Sequence, residues 1–210
     1  RNDFVPANTL VDKMNGLSDP RRAKYFDIMP GATTYTGGIY GSSNNFAAFS
    51  HVSSTIADPT FAGTLFDYSE VEFLLAEAAA RGVAVGGTAS NHYNTAIAAS
   101  MENWGVAPAD ITAYLAQSNV AFDAANWKKS IGEQSWIALY NRGFEGWTSF
   151  RRLDYPKLVA PATTYNELKV VPTRYSYPAR EETLNQTNVS AAISAIGGNN
   201  LDTKLFWDKF

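Results

Sequence analysis

Apolar residues recur with a helical period through the middle of this chain and with no regular period before it. Asp67-Tyr68-Ser69-Glu70 reads as a helix start, with Asp67 as N-cap and Glu70 reaching back in a capping box. Val71, Leu74, Leu75 and Ala78 follow at i, i+3, i+4 and i+7, which predicts one apolar stripe turned to a core. Gly82 ends this helix. A second begins near Ser90, with Tyr93, Ala96, Ile97, Ser100, Met101 and Trp104 as its stripe and Gly105 as its stop. The short link between the two requires an antiparallel pair. Ala89, Tyr93 and Ala96 match the small–large–small spacing of the second helix of a tetratricopeptide unit. Asp110 to Gln117 predicts a short third helix. Trp127 to Asn141 predicts a fourth, with Ile131, Trp136, Leu139 and Tyr140 on its buried side. Glu145 to Leu153 continues the helical layer after Gly143.

The flanks differ. Asn8 to Met14 predicts one or two helical turns capped by Asn8, Asp19-Pro20 a turn, and Arg21 to Asp27 another brief helix. Residues 31–65 carry Gly31, Gly37, Gly38, Gly41 and Gly63, with Ser42-Ser43-Asn44-Asn45 between. Each interior Gly costs a helix roughly 1 kcal/mol, so long loops with short strands are expected there. From Tyr155 on, Pro156, Pro161, Pro172 and Pro178 predict irregular chain, with a last helix from Asn188 to Ile196 before Gly197-Gly198. The fold expected is mostly α, with tetratricopeptide-like helical pairs and long irregular loops. Its sections are a loop-rich candidate ligand-binding segment (1–65), a helical layer (66–154) and an irregular C-terminal region (155–210), without a firm domain boundary.

Composition narrows the function. The net charge is −3, and no basic cluster exceeds Arg21-Arg22 or Arg151-Arg152, so nucleic-acid binding lacks its electrostatic footprint. The absence of Cys excludes disulfides, thiolate metal sites and a cysteine nucleophile. No apolar run is long enough to span a membrane, and no signal peptide is visible. His51 and His92 are far apart and have no carboxylate at metal spacing, so no metal is expected. Phosphate-binding glycine loops are missing, so no cofactor is expected; Gly37-Gly38 and Gly86-Gly87 read as turn formers. A glycosidase needs two carboxylates across a cleft. Glu133 and Glu145, on predicted helices beside Trp136 and Trp147, read instead as salt-bridged or solvated, and Asp154 as a partner of Arg151 or Arg152. No catalytic residue is assigned. The sequons at Asn185 and Asn188 read as coincidence or helix capping.

Aromatic residues make up 13% of the chain, enough that some should meet solvent or a ligand. Tyr35, Tyr40, Phe46 and Phe49 lie among Thr33, Thr34, Ser42, Ser43, Asn44 and Asn45. Sugar rings stack their C–H faces on flat side chains, while amides and hydroxyls hold the sugar hydroxyls. The candidate glycan contacts are therefore Tyr35, Tyr40, Asn44, Asn45, Phe46 and Phe49. The competing expectation is that these rings plug the loops onto the helical layer. The five Trp are assigned mainly to packing.

Ordered motifs add to this reading. Phe66 to Ala78 (FDYSEVEFLLAEA) resembles the "Y-[AS]-E-V-x-F-[IL]-L-A-E-A" helix of SusD/RagB-type proteins. Tyr93 to Ile97 and Ala99 to Glu102 resemble the family's next helix. Glu133 to Leu139 is similar to its "E-Q-K-W-I-A-L", and Glu145-Gly146-Trp147 with Phe150-Arg151-Arg152 to its "E-A-W-x-[DE]-x-R-R". Val171 to Tyr175, Tyr177-Pro178, Glu181 and Asn185 to Asn188 resemble its late proline-tyrosine segment. Asp202 to Asp208 resembles its terminus, with Phe206 in place of a Trp. The resemblance implies the C-terminal portion of a longer lipoprotein whose first half brings the signal peptide and lipobox Cys. It implies a non-catalytic glycan-binding subunit on the extracellular face of the outer membrane, partnered by a SusC-like TonB-dependent transporter. The alternatives are a RagB-like peptide-binding protein and a tetratricopeptide-like protein-interaction scaffold. The matched motifs carry no ligand residues, so the site residues rest on the loop argument.

Overall fold

The computed structural model describes residues 3–161 and 170–208. The chain divides into two compact units, Arg1–Lys157 and Leu158–Phe210. In the first unit, helix α1 (Asn8–Gly16) and the single turn α2 (Arg22–Tyr25) lead into a short strand, β1 (Phe26–Asp27). Strand β2 (His51–Val52) returns antiparallel to it, Phe26 facing Val52 and Asp27 facing His51. Four helices and a shorter one follow: α3 (Tyr68–Ala80), α4 (Ala89–Asn103), α5 (Pro108–Leu115), α6 (Trp127–Ala138) and α7 (Gly143–Leu153). None of the helices among the described residues is long and apolar enough to cross a membrane.

α3 and α4 form the expected antiparallel pair. Ser69 Oγ donates to the Ala96 carbonyl at 2.8 Å, and Glu72 lies opposite His92. α4 buries Tyr93, Ala96, Ile97, Ser100 and Met101, the stripe read from its periodicity. α3 does not bury its predicted stripe. Its buried face is Ser69, Glu72, Phe73, Ala76 and Glu77, and Leu74 is exposed. The helix is apolar almost all round, so periodicity alone left its rotation open. Pairing decides it: Glu72 takes His92, and Glu77 takes Arg81 and Arg152. A buried carboxylate is tolerated only when paired and hydrogen-bonded.

Two caps also differ from the sequence reading. Asp67 caps α3 by accepting from the Glu70 amide at 2.8 Å. The Glu70 side chain does not reach back to complete a capping box; it takes Arg142 Nη1 at 2.8 Å instead. Asn8 is the first residue of α1 rather than its cap, and its side-chain oxygen accepts from the Tyr40 amide.

The core of this unit runs continuously from Val11 and Met14 through Tyr25, Phe73, Tyr93 and Ile131 to Leu153. Each such side chain contributes roughly 1.5–3 kcal/mol on burial. Tyr25 is its aromatic centre, stacked on Tyr140 at 4.2 Å and edge-on to Trp104 at 4.7 Å. Burial pushes the Tyr140 phenol up to about 12. Through the same core passes one ionic network. Arg21 and Asp19 are fully buried, with Arg21 Nη2 2.6 Å from Asp19 Oδ2. Arg21 also donates to Ser100 Oγ and Gln134 Oε1, both at 3.0 Å, and Gln134 Nε2 donates to Tyr114 Oη. Burial opposes the charge on Arg21, but Asp19 outweighs it and holds the guanidinium's pKa above its usual value.

The second unit contains α8 (Ala179–Leu184) and α9 (Gln186–Ile196). α8 falls where irregular chain was expected. Pro178 sits directly before it, a position where the missing N–H costs nothing. The Thr173 amide donates to the Leu201 carbonyl at 2.8 Å, and Arg174 Nη1 donates to the Gly198 carbonyl. Residues 162–169 of the region expected to be irregular lie outside the described residues.

Candidate functional site

The loop segment from Tyr35 to Ser50 is tied to the N-terminal residues by a short parallel bridge. Gly38 donates to the Pro6 carbonyl, and the Asn8 amide donates to the Gly38 carbonyl, both at 2.8 Å. This contact explains Gly37 and Gly38, which are not turn formers. A Cβ on Gly37 would fall 2.5 Å from Asn8 Cα, and one on Gly38 would fall 2.5 Å from Val5 Cγ2. Only a residue without a side chain lets the two strands of chain approach so closely. Of the second glycine pair, Gly86 is a turn former at φ +84, whereas Gly87 packs against the His92 ring.

Where the two segments meet they enclose a hollow of about 300 Å³. Phe4 and Ile39 present apolar walls, 69% and 61% exposed, and Tyr40 stands 40% exposed. Phe46 contributes a further ring, while Ser42, Ser43 and Asp3 supply polar atoms. The volume is at the lower end for small-molecule sites, and the lining mixes flat apolar surface with a few hydroxyls.

The six candidate residues separate into two groups. Tyr40, Asn44 and Phe46 line the hollow; Tyr35, Asn45 and Phe49 do not. Asn44 shapes the loop. Its Oδ1 accepts from the Ile39 amide at 2.7 Å, and its Nδ2 donates to the Ile39 and Ser42 carbonyls. Three of its four hydrogen-bonding positions are thereby used within the loop. Phe46 is held flat against His51, with ring centroids 3.7 Å apart and 12° between planes. His51 Nε2 also lies 3.0 Å from the Phe46 carbonyl. Tyr35 packs on the core beside Phe26 and beneath the Arg22 guanidinium. Asn45 caps a 3-10 turn over Phe46–Ala48 by accepting from the Ala47 amide.

Asp3, Phe4 and Ile39 were missed by the sequence reading. The available signal was Gly37-Gly38, since paired glycines outside a turn mark a close approach of two backbones. Histidine pairing was missed as well: His92 Nδ1 lies 2.7 Å from Glu72 Oε2. That carboxylate sits 20 residues away and arrives only through the α3–α4 pairing. Glu133, read above as salt-bridged or solvated, is ion-paired with Lys13 at 2.7 Å.

Known proteins give the arrangement its context. None of the curated proteins matches the chain. Among solved structures, one described as a chitin-binding protein is 30% identical and superposes with a TM-score of 0.81, over 97% of this chain and 50% of its own. A chitin-binding SusD homolog from Flavobacterium johnsoniae is 28% identical with a TM-score of 0.78, covering 96% of this chain and 49% of that one. A SusD homolog from Bacteroides ovatus is 28% identical with a TM-score of 0.82, covering 97% and 52%. The chain thus spans about half the length of the solved proteins it matches. The family model SusD-like_2, described as starch-binding associating with outer membrane, matches residues 1–178, and this chain belongs to that family.

Proposed function

We propose that this chain binds oligosaccharide without catalysis, at the hollow between residues 3–7 and 38–46. The observation that carries the reading is the exposed Tyr40 ring, set beside Phe4 and Phe46 and flanked by Ser42 and Ser43. A pyranose ring laid on Tyr40 would bury its C–H face, and the serine hydroxyls would exchange hydrogen bonds with its rim. Apart from Asp3 the lining is uncharged, which suits a neutral glycan better than a charged peptide. Two solved relatives are chitin-binding by description, and the family model is described as starch-binding, so chitin- and starch-derived oligosaccharides are the first ligands to test. In this reading the protein works at the outer membrane, on the extracellular face, and delivers glycan to a SusC-like TonB-dependent transporter. An affinity of about micromolar to millimolar suits a surface site that must release its cargo.

The test is calorimetric titration of the chain with chitin and starch oligosaccharides, repeated with Tyr40→Ala. Binding that weakens by about 1 kcal/mol or more, roughly fivefold, supports stacking on Tyr40. Unchanged affinity in a folded Tyr40→Ala variant removes the hollow from the site. Binding of oligopeptides in place of both glycans would favour a peptide-uptake role.

A further inference from the structure

Phe46 borders the hollow, and His51, which does not, holds it at two points. The imidazole lies flat against the Phe46 ring, with centroids 3.7 Å apart and 12° between planes. The same imidazole reaches the backbone of the same residue, with Nε2 3.0 Å from the Phe46 carbonyl oxygen. A carbonyl only accepts, so Nε2 carries the proton and donates. Ring and backbone of one residue are thus fixed by one side chain. Phe46 cannot turn about its side-chain bonds without leaving the stack, and His51 cannot follow it without giving up the hydrogen bond.

His51 can hold Phe46 because its own backbone is anchored on both sides. It pairs with Asp27 across the β1–β2 ladder, next to Phe26, which is buried in the core. Before it, the Ser50 amide donates to the Thr36 carbonyl at 2.9 Å, and the Thr36 amide donates to Ser50 Oγ at 3.0 Å. After it, the Ser53 amide donates to the Tyr25 carbonyl at 2.9 Å. Phe46 starts a single 3-10 turn whose Ala47 and Ala48 are exposed. The better anchored element is therefore β2, and His51 carries its order outward to the turn.

Taking the hollow between residues 3–7 and 38–46 as the glycan site, we infer that His51 is a positioning residue for glycan binding. It touches no sugar itself; it holds the Phe46 ring at a fixed attitude on the border of the hollow that Tyr40 also lines. A sugar stacks its C–H face on a plane, and a ring free to rotate must lose that freedom when the sugar arrives. With one Phe46 face covered by the imidazole, the sugar meets the remaining face and the rim. His51 does the ordering on folding, before the ligand arrives, and the ring's freedom no longer counts against affinity.

The test is a double-mutant cycle, read by calorimetric titration of the 210-residue chain with chitin and starch oligosaccharides. His51→Ala should weaken binding roughly three- to tenfold, the range expected when the ligand must order one side chain. Phe46→Ala should weaken it at least as much. On the Phe46→Ala background His51→Ala should add less than about twofold, because His51 acts only through that ring. His51→Phe, which can stack but not donate, should recover most of the lost affinity. His51→Gln, which can donate but not stack, should not. A merely structural His51 would give additive losses in the cycle and equal affinities in His51→Phe and His51→Gln; either result overturns the inference. Unchanged affinity in His51→Ala or in Phe46→Ala overturns it too, while the hollow stands as the glycan site as long as Tyr40→Ala still weakens binding. A wild-type chain that binds neither oligosaccharide, or a Tyr40→Ala variant as tight as wild type, removes the hollow as the glycan site and the role of His51 with it.

Discussion

Arg21 shows what a single side chain can hold together. It is fully buried with Asp19 and reaches α4 through Ser100 and α6 through Gln134. Arg21→Met would leave the Asp19 carboxylate buried without its partner. The expected loss is about 3–5 kcal/mol of stability in urea unfolding. Replacing Asp19 as well, by Leu, should recover part of that loss, because the cost lies in the orphaned charge; equal losses in the single and double variants would contradict this. Glu72 offers a pH-dependent counterpart. Burial alone would raise its carboxyl, but hydrogen bonds from His92 and Tyr68 outweigh it and hold the pKa below the ordinary value. A depressed folded pKa gives stability that is complete above the unfolded value, about 4.3, and drains away as pH falls through the lower folded value. Glu72→Gln should therefore flatten the acid limb of a plot of unfolding free energy against pH. A limb of unchanged slope would remove Glu72 as its source.

At the scale of elements, the Gly37–Gly38 bridge decides whether the hollow proposed for glycan exists. Gly37→Ala places a methyl against the Asn8 backbone, where no flexible side chain can yield. The expected result is a cost of about 1–3 kcal/mol in stability. Glycan titration of this variant should also show weakened binding, because Phe4 and Tyr40 separate. Asn44→Ala should weaken glycan binding with less effect on global unfolding, since its three bonds stay within one exposed loop. The helices were far more legible than this loop. α4 gave up its buried face because its apolar stripe is narrow and its other positions are polar. α3 did not, because apolar residues surround it and only the partners of Glu72 and Glu77 choose the face. In the loop, composition marked a stretch of chain that lines a hollow in part but could not sort which of its members line it. Tyr35 and Tyr40 look alike in sequence, and only the fold turns one toward Phe26 and leaves the other against the hollow. Phe4 and Asp3 were invisible for a related reason: they join the site through a backbone bridge between positions about 30 residues apart, which leaves no local period.

For the molecule as a whole, the question is which unit carries the fold and the site. The continuous core begins at Val11 and ends at Leu153, all within Arg1–Lys157. The buried ionic network, the antiparallel α3–α4 pair and the hollow proposed for glycan lie in that unit too. A unit with its own core and satisfied buried charges should fold alone. Residues 1–157, expressed alone, are therefore expected to unfold in one cooperative transition and to keep the glycan affinity of the full chain. The check is denaturant unfolding followed by circular dichroism, with calorimetric titration of the same oligosaccharides beside it. Cooperative unfolding with lost binding would mean that residues 158–210 contribute to glycan recognition. Loss of the transition itself would mean that the apparent independence of the core is wrong, and that the last 53 residues complete it.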